Sequence, residues 1–137
     1  MEIHSFELYT FQLLHYFVGE YGYQMMTIHG QRQDVWLINR QRKEFPLICI
    51  INASDVQIAE KESYFVQIAV VMLGEHAKRC KLLLINTNPQ SSETETAQYI
   101  HTVITPDHCE HTQVLECFPN IASVVHPSDE PQKEFAR

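Results

Sequence analysis

The chain is expected to be an α/β domain, close to α+β, with a mixed sheet flanked by helices in the order α-β-β-β-α-β-α-β. Three observations predict this. Two almost wholly apolar segments, FPLICIIN (Phe45–Asn52) and KLLLIN (Lys81–Asn86), read as strands. A strand with no polar face is one covered on both sides. The segment joining them is far too long for a hairpin and suits a crossover helix, which lets the strands run parallel. Two further strand candidates precede Phe45 at hairpin spacing, so an antiparallel meander leads into the β-α-β unit.

The elements follow in order. Ser5–Val18 reads as an amphipathic helix with Phe6, Tyr9, Leu13 and Phe17 on one face and Ser5 as its N-cap. Leu8, Phe11, Leu14 and Tyr16 widen its apolar surface, which predicts firm docking. Gly19 and Gly22 end it. Tyr23–Ile28 is the first strand and His29-Gly30 a turn. Asp34–Asn39, with VWLIN, is the second. The charged run RQRKE is a tight connection to the third, Phe45–Asn52.

The long helix starts at Ser54, which with Gln57 fits a capping box. Its early part, Asp55–Ser63, is polar on one side. Its later part, Tyr64–Cys80, buries a stripe of Val66, Ala69, Val70, Leu73 and Ala77, widened by Phe65, Ile68 and Met72. Lys78 and Arg79 suit the C-terminal end of the dipole. After Lys81–Asn86, the polar loop TNPQSSETET leads to a short helix, Glu95–Val103. Gln113–Phe118 is expected as the last strand, and Ile121–Val125 as its extension or a short edge piece. Residues 1–126 form one domain, and 127–137 a polar tail or linker.

Composition excludes some functions. The net charge of −7 argues against nucleic acid or an anionic membrane surface as partner, because both recruit clustered Lys and Arg. Eight histidines make the charge sensitive to acidification. The spacing of Cys49, Cys80, Cys109 and Cys117 is no disulfide framework, so a reducing compartment is the simpler reading. No signal peptide is legible in Met1–Gly19, and no apolar run reaches the ~18 residues of a membrane span.

Candidate chemistry is sparse. Asp107, His108, Cys109, Glu110, His111 and Cys117 are metal-capable types crowded into one segment, which His101 could join. A divalent metal ion on Asp107, His108, His111 and Cys117 is the cofactor such a set would take, although H-x-x-H with a later Cys matches no strong zinc spacing and a solvated loop has the same composition. Asn52, Ser54 and Asp55 follow one core strand, and Asn86, Thr87 and Asn88 the next. In a parallel pair these meet at the carboxyl edge, where open α/β sheets bind ligands; as ordinary caps and turn residues they need no ligand. His76 reads as a half-buried structural His or a dipole partner near a helix end, and Trp36 as core or an interface anchor. No residue is expected to be a catalytic nucleophile.

The order α-β-β-β-α-β resembles the core of restriction-endonuclease-like proteins, which carry an acid at the second strand and an acidic-x-Lys pair on the third to hold a metal and activate water. Asp34 stands at the start of the second strand. The third, PLICII, carries neither acid nor Lys, so this resemblance implies the fold without the catalysis. A second resemblance lies in YFVGEYGYQ, DVWLINRQRKEFPLICI and KLLLIN, which together look like the soluble N-terminal domain of some bacterial rhomboid proteases. It covers most of Phe11–Phe118. It implies a noncatalytic regulatory or sensor domain on the cytoplasmic side of the membrane, whose partner is the membrane-embedded serine protease of the same polypeptide. The Gly-x-Ser motif and helical His of that protease are not in this chain, and no catalytic residue is carried over. The alternatives are a stand-alone degenerate nuclease-like or ligand- or protein-binding domain, and a homodimeric module with Trp36 or the first helix at its interface.

Overall fold

A computed structural model describes residues 2–30, 34–53, 55–87, 95–96, 100–103 and 112–125. Helix α1 (Glu2–Tyr21) is followed by β1 (Gln24–Met26), β2 (Val35–Ile38) and β3 (Leu47–Ile51). Then come α2 (Asp55–Leu73), α3 (His76–Arg79), β4 (Leu82–Asn86), β5 (Glu95–Thr96), β6 (Ile100–Val103), α4 (Thr112–Cys117) and α5 (Ile121–Val125). The strands form one mixed sheet in the order β1-β2-β3-β4-β6-β5. β1, β2 and β3 pair antiparallel as a meander. β3 pairs β4 in parallel, Ile48 opposite Leu83 and Ile50 opposite Ile85. The expected β-α-β unit is therefore present, with β6 added in parallel to the far side of β4 and β5 antiparallel at the edge.

Period-two alternation divides the central strands between two cores. Ile48 and Ile50 of β3 and Leu83 and Ile85 of β4 face a cluster with Leu13, Tyr16 and Phe17 of α1, Val114 of α4, the following Phe118, and Ile121 of α5. Leu47, Cys49 and Ile51, with Leu82 and Leu84, face the other cluster, built by Ile58, Phe65, Ala69 and Leu73 of α2 and Ala77 of α3. Every residue of β3 and β4 is buried. This is why both strands lack a polar face.

Two glycines set helix boundaries. Gly22 has φ +71° and ends α1 after Tyr21, while Gly19 stays inside the helix. Helix α1 begins at Glu2, so Ser5 is an interior residue rather than its cap. Gly74 has φ +60°, and its N–H donates to Val70 O at 2.8 Å. That left-handed residue interrupts the expected helix through Cys80 and leaves α3 as a separate turn. The buried stripe of α2 is rotated from expectation: Ile58, Phe65, Ala69 and Leu73 are buried, whereas Val70 is exposed.

The C-terminal third departs most. Glu95–Val103 was expected as a helix and contributes β5 and β6 instead; strand β4 would otherwise present an open edge, and β6 closes it with four residues in register. Gln113–Phe118 was expected as a strand and is helix α4, continued by α5 rather than by an edge piece. Val114, Phe118 and Ile121 are all fully buried in one cluster. Their spacing of four and then three is helical, and it outweighs the β preference of the individual side chains.

Candidate functional site

The N-terminal end of β2 and the carboxyl ends of β3 and β4 share one margin of the sheet, because β2 runs antiparallel to β3 and β3 parallel to β4. Asp34 immediately precedes β2. Its side chain is 4% exposed and accepts a hydrogen bond from Lys61 Nζ of α2 at 2.7 Å. The Lys61 side chain is 29% exposed. The pair neutralises a carboxylate that burial would otherwise penalise. Strand register puts Val35 opposite Ile50 and Trp36 opposite Cys49. Alternation therefore places Cys49 and Ile51 on the same face as Asp34, and both are about 1% exposed. Among the described residues, the β3 side chains that share this face with Asp34 at the margin are a thiol and an alkyl group. Burial pushes the Cys49 thiol well above its ordinary range, Asp34 adds to that rise and Lys61 opposes it. Cys49 is thus a neutral, packed side chain.

The polar residues after β3 and β4 do structural work. Asn86 is fully buried; its Oδ1 accepts from Ala53 N at 3.1 Å and its Nδ2 donates to Ala53 O at 2.8 Å. Thr87 is 3% exposed and its Oγ1 donates to Ile51 O at 3.0 Å, beside the Thr87 N–H bond to the same oxygen at 2.8 Å. Asn86 and Thr87 hence tie the end of β4 to the β3–α2 junction. Asn52 is exposed. Ser54 and Asn88 lie outside the described residues, as does the Asp55 side chain.

Asp107, His108, Cys109, Glu110 and His111 also lie outside the described residues. Cys117 is on α4, half-buried. Burial pushes its thiol up, the nearby Arg42 guanidinium opposes the rise, and Glu44 and Glu116 add to it. Among the described residues no group of three His, Cys, Asp or Glu side chains could hold a metal ion. His101 is on β6, and His76 opens α3 in an exposed position. Trp36 is 1% exposed against Tyr64 and Phe65, so it belongs to the core and not to a surface interface.

Two arrangements escaped sequence reasoning. One is Lys61, which sits between Glu60 and Glu62 and carries no local mark of its bond to a residue 27 positions away. The other is Arg42, from the charged connection before β3. Its guanidinium carbon lies 5.0 Å from the Tyr21 ring centroid, 5.9 Å from Tyr23 and 4.8 Å from Phe118. A weakly hydrated guanidinium stacks well on aromatic faces. Here it seals the aromatic cluster that joins α1, β1 and the α4–α5 turn. The repeated Tyr and Phe around Gly22 were the only sequence signal for that cluster.

No family model matches the chain, and no curated protein matches it.

Proposed function

We propose that this chain is a noncatalytic regulatory or sensor domain of a rhomboid-like intramembrane serine protease, acting on the cytoplasmic side of the membrane. The observation that supports the noncatalytic half is the pairing of Asp34 with Lys61 at 2.7 Å, on a face whose described β3 side chains at that margin are Cys49 and Ile51. A hydrolytic metal site needs more than one oxygen ligand and an open coordination position. The link to a protease rests on the sequence resemblance. Its segments YFVGEYGYQ, DVWLINRQRKEFPLICI and KLLLIN form the end of α1 up to the first residue of β1, strands β2 and β3 as far as Ile50, and strand β4. The resemblance is thus spread over the buried framework rather than over one surface loop.

The mechanism is binding of an ion, small ligand or protein, passed through residues 127–137 to the membrane domain. The test is proteolysis of a membrane-embedded substrate by the full-length protease with and without this domain, across Mg²⁺, Mn²⁺ and Zn²⁺ concentrations. A changed dependence on at least one ion is the expected result; identical rates throughout would overturn the reading. Calorimetric titration of the isolated chain with the same ions, repeated for His108→Ala and His111→Ala, asks whether the His-rich segment is the ion site.

A second reading is a stand-alone ligand-binding domain on a restriction-endonuclease-like core. The observation favouring it is the sheet order β1-β2-β3-β4, antiparallel, antiparallel, then parallel, with α1 before it and α2 as crossover. Incubation with DNA and Mg²⁺ or Mn²⁺ should leave the DNA intact. Cleavage abolished by Asp34→Ala would restore the enzymatic form of this reading.

A further inference from the structure

The net charge of −7 is not spread evenly. Six of the ten Lys and Arg residues come from two segments far apart in the chain. Arg40, Arg42 and Lys43 lie in the β2–β3 connection, and Lys78, Arg79 and Lys81 lie in α3 and before β4. The fold joins these segments at one margin of the sheet, the one opposite Asp34. Phe45 N donates to Lys81 O at 2.6 Å, and Arg40 Nη2 donates to Met72 O at 3.4 Å at the end of α2. Arg40, Lys43, Lys78 and Arg79 are exposed, and Lys81 is half-buried. Arg42 is held by its aromatic cluster.

Acids do not cancel these cations. Residues 70–81 contain one acid, Glu75. Glu44 accepts from Gln113 Nε2 of α4 at 3.5 Å, Glu116 is on α4 itself, and Glu20 ends α1. On α2, Glu62 precedes Val71 by nine residues. That is about 14 Å of helix, beyond the ~10 Å screening length at 0.1 M salt. Charge therefore selects an anionic partner, and Val70 and Val71 narrow its kind. They are 45% and 76% exposed in the last turn of α2, beside the Arg40–Met72 contact. Apolar side chains that protrude among cations suit a bilayer interface, where the cations meet headgroups and the alkyl groups enter the acyl boundary. A nucleic-acid strand takes open aromatic rings to stack on. Here Tyr23 and Phe118 are buried and Tyr21 lies under Arg42. Net charge alone argues against an anionic surface; the placement of the charge favours one.

We propose that this margin docks on the anionic lipid headgroups of a bilayer, with Arg40, Lys43, Lys78 and Arg79 against the headgroups and Val71 entering between them. Resting on the reading of the chain as a membrane-side domain, this contact gives the domain an orientation, with the Asp34 margin turned away from the lipid.

The test is co-flotation of the full chain with phosphatidylcholine vesicles containing about 30 mol% phosphatidylglycerol, at about 50 mM and about 500 mM salt. Binding at the lower salt, lost at the higher and absent from pure phosphatidylcholine, is expected. A cation near an anionic surface contributes about fivefold to partitioning, so Lys78→Ala with Arg79→Ala should weaken binding about twentyfold. Val71→Ser should weaken it about threefold or more. Phe11→Glu with His15→Glu makes the same change in net charge on the exposed face of α1, and should weaken it less than about twofold. All these positions are exposed, and Trp36 emission verifies that the variants are folded. No binding to the anionic vesicles overturns the proposal, whether or not the chain binds a DNA duplex or a second copy of itself. So does equal weakening by the α1 pair and the α3 pair, or binding that salt leaves unchanged. The vesicle assay needs no protease. Vesicle binding without any effect of the domain on proteolysis supports this contact and removes the protease reading; the reverse removes this contact alone.

Discussion

At the residue scale, Asp34 and Tyr23 make the sharpest predictions. Lys61→Met leaves the Asp34 carboxylate buried without its partner. It should cost about 3 kcal/mol in urea unfolding at neutral pH, and Asp34→Asn combined with Lys61→Met should recover most of that. If the single and double variants are equally destabilised, the pair is not what holds the β2–α2 contact. Tyr23 is 2% exposed and its hydroxyl donates to Phe45 O. Burial is the largest cause raising its pKa above the ordinary 10.0, with Arg42 opposing. The neutral phenol is therefore favoured in the fold. Above pH 10 the unfolded chain loses this proton while the folded chain keeps it, so stability is fully present below pH 10 and falls as pH rises beyond it. Tyr23→Phe should cost about 1 kcal/mol at neutral pH and make the alkaline fall shallower, measured as unfolding free energy against pH.

At the element scale, the strongest control lies where strands hand over to helices. Asn86 satisfies both backbone groups of Ala53, at the start of the crossover. Asn86→Ala removes both of these buried hydrogen bonds to Ala53 and should cost about 1–3 kcal/mol by denaturant unfolding. Asn86→Asp keeps the acceptor for Ala53 N but turns an oxygen towards Ala53 O, so it should be no better tolerated. Gly74 tests the α2–α3 break separately. A Cβ there meets nothing within 4 Å, so Gly74→Ala isolates the cost of a left-handed backbone, about 1 kcal/mol, visible as a lower Tm. These two substitutions also show the limits of local reading. Gly74 was visible in the sequence, but an isolated Gly in a helical pattern is tolerated at a cost of about 1 kcal/mol and does not by itself mark a break. Asn86 read equally well as a turn residue, because its partner lies 33 positions away.

At the scale of the whole molecule, β3 and β4 supply side chains to both cores at once. Neither core can be lost without exposing strands that complete the other. Phe118→Ala on the α1 side and Phe65→Ala on the α2 side should each cost about 3–5 kcal/mol. Each should shift the unfolding midpoint seen by Trp36 fluorescence and by far-ultraviolet circular dichroism equally. Separate midpoints for the two probes would mean that the two faces fold independently. With Trp36 the single tryptophan and buried on the α2 side, fluorescence reports directly on that face.

The residues themselves determined the β3–α2–β4 unit, the meander before it and the absence of a catalytic pair on β3. A run such as LICII is stable when covered from both sides, and a parallel crossover of that length is usually a helix. Tertiary structure decided the rest. It chose Lys61 as partner for Asp34, bonded Asn86 and Thr87 to the β3–α2 junction, buried Trp36, and drew Ile100–Val103 into the sheet beside β4. It also turned Leu8 and Phe11 outward, though their hydrophobicity alone predicted burial. Sequence periodicity specifies how wide an apolar face is and which residues share it. Which part of that face meets the sheet depends on the partner surface, and that surface is assembled only when residues far apart in the chain come together.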